Sequence, residues 1–254
     1  MTTRNRAYTA GVSTVLAAVV GMSFTVGPFA ASAEAGARNP GYMLRKVALP
    51  SGKKAVVRWD PCQATITYRV NLDGVPKKRR AAMLRQVRTG VATLSAADGM
   101  TYTYKGRTSF VPRKGNIDDA PAELVVAVVK KKATNLSMPK GVLGVGGPLW
   151  QTWSDSSGEG AAAVRGFVLL SSTDMGRLKQ GFGAGKTVGN VLLHELGHAT
   201  GLEHSTVRSS LMYPELTRDA PDGFAAGDLA GLKRVGRAAG CITVPHSDDL
   251  PDLS

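Results

Sequence analysis

Cysteine, histidine, acidic and aromatic residues are all scarce in this chain of 254 residues. Two cysteines exclude a disulfide-dense miniprotein and any four-cysteine zinc or iron–sulfur site. Aromatics are only 6%, yet 43% hydrophobic residues beside 20% charged ones make a globular composition and exclude wholesale disorder. The 19 acidic side chains are outnumbered by 32 basic ones, for a formal charge of +13. Such an excess admits anionic surface partners, with Lys77-Lys78-Arg79-Arg80 and Lys130-Lys131-Lys132 as its densest runs. No nucleic-acid motif or aromatic interleaving accompanies those runs, so specific nucleic-acid recognition is not expected. The histidines number four, and three of them fall between positions 194 and 204.

Long apolar runs are also missing, except at the amino terminus. Arg4 and Arg6 precede an apolar stretch from Ala10 to Phe29, and Ala31-Ser32-Ala33 has the small-x-small form of a secretory cleavage site. Residues 1–33 are therefore expected to be a signal peptide, with an uncleaved membrane anchor as the rival reading. Cleavage predicts a secreted protein, off the membrane and monomeric. In an oxidising compartment an even cysteine count predicts a bridge, here Cys62 to Cys241. The alternative makes Cys62 a thiolate that plugs a metal site.

After the leader, residues 34–54 read as a loose lead-in and 246–254 as a tail, leaving 55–245 as the main folded domain. Thr65–Val70 alternates as a half-buried strand does, and Thr101–Tyr104, Glu123–Val129 and Val164–Ser171 are further strands. Gly141–Trp150 is glycine-rich and reads as an edge strand. Apolar residues at steps of three and four predict a helix over Lys77–Ala97, a second over Val188–Thr200 and a last over Asp228–Ala239. The order makes one mixed α/β (α+β) domain.

The chemistry is concentrated in His194-Glu195-Leu196-Gly197-His198-Ala199-Thr200-Gly201-Leu202-Glu203-His204. Residues four apart share a helix face, so His194 and His198 can offer imidazoles to one ion. Glu195 is rotated about 100° from His194, beside the ion rather than on it, where a base for a water is needed. Gly201 can end the helix in a left-handed conformation and let His204 reach back as third ligand. Three neutral imidazoles with an open fourth position are the donor set of a catalytic zinc, so one Zn²⁺ is expected. Intact Glu195 favours an enzyme over a rival reading, a non-enzymatic basic cell-surface binding protein.

At these residues the sequence resembles the metzincin metalloproteases. Ser210-Leu211-Met212-Tyr213-Pro214 looks like their Met-turn, and His204-Ser205 at this spacing from it is most similar to the matrixin branch. The resemblance implies a twisted, mostly parallel sheet with an antiparallel edge strand, an active-site helix, a Met-turn and a C-terminal helix. It implies a zinc endopeptidase with Glu195 as general base, Met212 as an apolar floor, and substrate added as a strand near 141–147. Tyr213 is given no catalytic role. A Pro-Arg-Cys-Gly latency segment is not found, and a second histidine-rich zinc site cannot be built from His246 alone. Calcium is left open, with Asp155 and Glu159 as oxygen donors.

Overall fold

The computed structural model describes residues 9–10, 13–14, 40–63, 65–155 and 158–242. The expected leader lies outside them except for two short strands, β1 (Thr9–Ala10) and β2 (Ser13–Thr14), and the tail at 246–254 lies outside entirely. Then follow β3 (Met43–Leu44), β4 (Lys46–Ala48), β5 (Lys54–Val56), β6 (Ile66–Asn71), α1 (Arg80–Asp98), β7 (Tyr102–Arg107) and β8 (Leu124–Val129). The second half holds β9 (Gly144–Asp155), β10 (Gly158–Ser171), α2 (Ser172–Met175), α3 (Val188–Thr200), β11 (Leu202–Glu203) and α4 (Ala226–Val235).

β8 reads Leu-Val-Val-Ala-Val-Val and every residue in it is buried, as a central strand covered on both faces must be. β10 and β6 flank it in parallel, β7 continues in parallel outside β6, and β9 closes the other side antiparallel to β10. The result is the expected mostly parallel sheet with one antiparallel edge. Leu124, Val126 and Val128 face a core shared with α1 and α3. Ala127 and Val129 face a second, smaller core with Phe167, Leu169 and Val145, closed by residues from the connections on either side of β8 such as Ile117 and Leu136. Helices thus cover one face of the sheet and irregular chain the other.

α1 buries Met83, Val87, Val91 and Leu94, the apolar stripe that its sequence presents at steps of three and four. Gly90 lets it approach α3 closely: a Cβ there would lie 2.6 Å from Leu192 Cδ2. Two expectations need correction. The stretch read as loose up to residue 54 contains β3, β4 and the start of β5, because β3 pairs with β11 and β4 with β5. The edge strand runs on to Asp155 and its partner starts at Gly158, so Ala161–Ala163, with no β propensity of their own, are held in a hairpin by the ladder with Trp150–Thr152.

Candidate metal centre

α3 carries the centre, and both of its ends are held by local chemistry. The Thr187 hydroxyl accepts from the Asn190 amide at the first turn. Trp59 Nε1 donates to the Ala199 carbonyl at 3.0 Å near the last turn. Gly201 ends the helix at φ +109°, where a side chain would be strained and its Cβ would lie 2.2 Å from the Val57 carbonyl oxygen. The chain then reverses through β11, which pairs with β3, and brings His204 back over the helix.

The three imidazoles meet. Ring centroids of His194, His198 and His204 are 4.7–5.3 Å apart, and one ligating atom from each lies within 4.8 Å of the others. Among the described residues this is the one group of three or more potential metal donors so gathered. The hydrogen bonds assign the tautomers. His194 Nδ1 donates to the Leu211 carbonyl at 2.8 Å and His198 Nδ1 to the Leu202 carbonyl at 2.9 Å. Both Nε2 atoms therefore carry lone pairs, and they face each other at 3.0 Å. Buried His204 Nε2 has no hydrogen-bond partner. Two facing lone pairs beside a third, unpartnered imidazole nitrogen are repulsive unless a cation sits among them, so the residues fit a zinc ion.

Burial also keeps the ligands neutral. It pushes His194 down to about 3 and His198 well below the usual histidine range. His204 is lowered too, first by burial and then by the positive charge of Arg45. Arg45 Nε lies 2.6 Å from Glu203 Oε1, tying the segment before the sheet to the residue preceding the third ligand.

Glu195 is fully buried and neither carboxylate oxygen has a hydrogen-bond partner, so its carboxyl is raised well above the usual carboxylate range. It lies directly under the edge strand. A Cβ at Gly144 would come within 2.8 Å of Glu195 Cγ and Oε1, and one at Gly146 within 2.5 Å of the Glu195 carbonyl oxygen. The glycines that marked this stretch as an edge strand therefore serve a second purpose: they let β9 cross α3 at the carboxylate.

Met212 is fully buried against α3, with its Sδ where a side chain on Gly197 would go. Its turn is anchored by Asp228 in α4, a residue read from sequence only as the start of a helix. The Asp228 carboxylate accepts from the Leu211 amide at 2.7 Å, the Ala225 amide at 2.8 Å, the Met212 amide at 3.3 Å and the Ser210 hydroxyl. Asn190 was missed as well. Fully buried, its amide donates to the carbonyls of Gly183, Gly185 and Pro221 and accepts from the Gly223 amide, joining the loops before and after the turn. Neither anchor announces itself in sequence, since an isolated Asp or Asn most often reads as surface. A narrow pocket opens beside His194, lined by Asn190, Val191, Leu211, Tyr213 and Leu216.

Cys62 and Cys241 lie far from the histidines in sequence and are joined by a disulfide, with Cα atoms 5.3 Å apart. Glu159, one of the oxygen donors considered for calcium, accepts from the Ser51 amide.

Comparison with known proteins is consistent with this geometry. Residues 149–235 match the matrixin family of peptidases. A stretch of 47 residues is 45% identical to matrilysin of Rattus norvegicus, covering 18% of this chain and 18% of that protein. The matched stretch thus spans about a fifth of the curated relative. With the sheet order, the histidine helix and the anchored methionine turn, these matches support a resemblance to matrixin catalytic domains, carried by residues 149–235.

Proposed function

We propose that the protein is an exported, zinc-dependent endopeptidase that hydrolyses peptide bonds of chains laid along β9. One observation carries the reading: a buried, unpaired carboxyl group, Glu195, follows His194 on the helix whose imidazoles gather with that of His204. A purely structural metal site would have no use for that carboxylate. His194, His198 and His204 would hold the ion, which supplies Lewis-acid polarisation of a water and of the scissile carbonyl.

The remaining work falls to the chain itself. Glu195 takes the proton of the attacking water on a carboxylate oxygen and delivers it to the leaving amine nitrogen. Its burial favours the protonated form between the two transfers. The hydrogen bonds from His194 and His198 to the Leu211 and Leu202 carbonyls hold both rings in the ligating tautomer, and Met212 supports them from below without exchanging protons. β9 aligns the substrate backbone by strand addition. The β9 edge can pair in this way: β1 and β2 lie antiparallel on it, with Thr9 opposite Trp150 and Ser13 opposite Gly146. Cleavage after Ala33 would remove both and free the edge for substrate. Among the described residues no helix is long and apolar enough to cross a membrane.

Glu195→Gln tests the proposal. The variant should bind zinc stoichiometrically and fold normally, yet lose on the order of 10²–10⁴-fold in turnover of a casein or peptide substrate. Near wild-type hydrolysis with zinc in place would refute the assigned base. Zinc binding with no hydrolysis of any peptide by the wild type would favour the binding-protein alternative.

A further inference from the structure

At the sheet edge opposite β9, α1 and the β6–β7 pair border two open hollows of about 510 and 470 Å³. The first is lined by Arg85 and Arg88 with Tyr68 and Tyr102, the second by Lys77, Arg80 and Arg107 with Leu84. The proposed peptidase chemistry uses none of these residues. Five cations therefore line one cleft, and four of them are arginines.

The backbone is arranged to add one of these charges. β6 and β7 pair in parallel with Ile66 opposite Tyr102 and Tyr68 opposite Tyr104, so these side chains share the face that meets α1. Unbroken pairing would place Gly106 opposite Val70 and point Arg107 to the other face. The register instead shifts by one residue and Val70 stands opposite Arg107, with Gly106 at φ +94°. This bulge turns Arg107 into the cleft beside Arg80. Arg88 is held in place too, its guanidinium 5.5 Å from the centre of the Tyr104 ring, which in turn packs on Tyr68 at 5.3 Å.

The charge is almost uncompensated. Among the described residues Lys77, Arg85, Arg88 and Arg107 form no ion pair, and Asp73 reaches only Arg80, at 3.9 Å. Arg80 and Arg88 are two helical turns apart, about 12 Å along the axis, so the cleft suits an extended ligand with repeating charges rather than a single ion.

We infer that this cleft is an exosite for a linear phosphodiester polymer without bases, of the poly(glycerol phosphate) kind. A guanidinium fork matches the two unesterified oxygens of a phosphodiester, which stays ionised at every working pH. Nucleic acid fits less well, because two of the aromatic faces that could stack bases are taken: Tyr68 is 4% exposed and Tyr104 is covered by Arg88. The exosite lies across the sheet from β9, so polymer and peptide can be held together.

The test is fluorescence anisotropy of a labelled glycerol-phosphate oligomer against the full chain. Affinity should fall about 50-fold between 50 and 200 mM salt, as about four phosphate contacts require. Arg85→Ala with Arg107→Ala should weaken binding about 10-fold and flatten the log–log salt slope by about 1.5, with no change in hydrolysis of a short peptide. Lys53→Ala with Lys54→Ala, an equal loss of charge elsewhere, should alter affinity less than about twofold. Equal weakening by the two pairs, or no binding at 50 mM salt, would overturn the exosite. So would oligo-dT or polyglutamate bound as tightly as the polyol phosphate.

Discussion

A single buried carboxylate illustrates how position overrides residue type. Asp98 is the last residue of α1, where the helix dipole already disfavours negative charge, and it is 3% exposed. Burial pushes its carboxyl up to about 6, against the hydrogen bonds it accepts from the Tyr102 hydroxyl and the Met100 amide. A raised acid pKa means that the native state binds the proton more tightly than the unfolded chain. Its contribution is therefore most favourable below the unfolded value near 3.8 and is lost as pH rises to about 6. Asp98→Asn keeps the shape and an acceptor for Met100 without the charge. It should stabilise the protein by about 2 kcal/mol above pH 6, with the difference vanishing toward pH 4. Urea unfolding from pH 4 to 8 measures this, and a gap that widened toward acid would contradict it. Asp228 is buried too, but it is surrounded by donors from the methionine turn and from Ala225 at the start of α4.

At the scale of elements, the centre depends on how closely β9 and α3 cross. Gly146→Ala would press a methyl group onto the Glu195 carbonyl, and backbone can yield only by moving the strand or the helix. The expected cost is about 1–3 kcal/mol, read as a melting temperature lower by several degrees and as faster zinc loss to a chelator. Gly197→Ala is the comparison: its methyl would meet Met212 Sδ at 2.6 Å, an atom on a side chain that can swing aside. It should destabilise less. Unchanged melting and zinc retention in Gly146→Ala would show that the crossing has room for a methyl group. The crossing also explains the uneven legibility of the sheet. The glycine-rich run marked an edge strand, but nothing local marks how far β9 and β10 extend.

Across the whole molecule, the disulfide joins the segment between β5 and β6 to the chain after α4, 179 residues away. It works with a polar clasp. Arg58 donates to the Gly240 carbonyl at 2.7 Å, and Asp60 accepts from the amides of Cys62 and Ile242 at 3.0 Å. For a loop of that length the chain-entropy model gives about 4–5 kcal/mol of stabilisation. Cys62→Ala with Cys241→Ala should lower the denaturant midpoint accordingly, and unfolding of the wild type with reductant should reproduce the shift. A midpoint insensitive to both would mean that the clasp alone holds the two segments.

The local pattern by itself determined the extents of α3 and of most parallel strands, because helix and strand periods, caps and breakers act over a few residues. It also made the three histidines legible as one cluster and Glu195 as the candidate base beside it, since their spacing on a helix and past Gly201 leaves few other geometries. Only the tertiary structure decided what surrounds them. Asp228 beneath Met212, Asn190 between two loops, Arg45 on Glu203 and the bulge that turns Arg107 into the α1 cleft all join residues distant in sequence or set by strand register. Their partners come from packing of the whole sheet and its helices, and no local propensity carries that information.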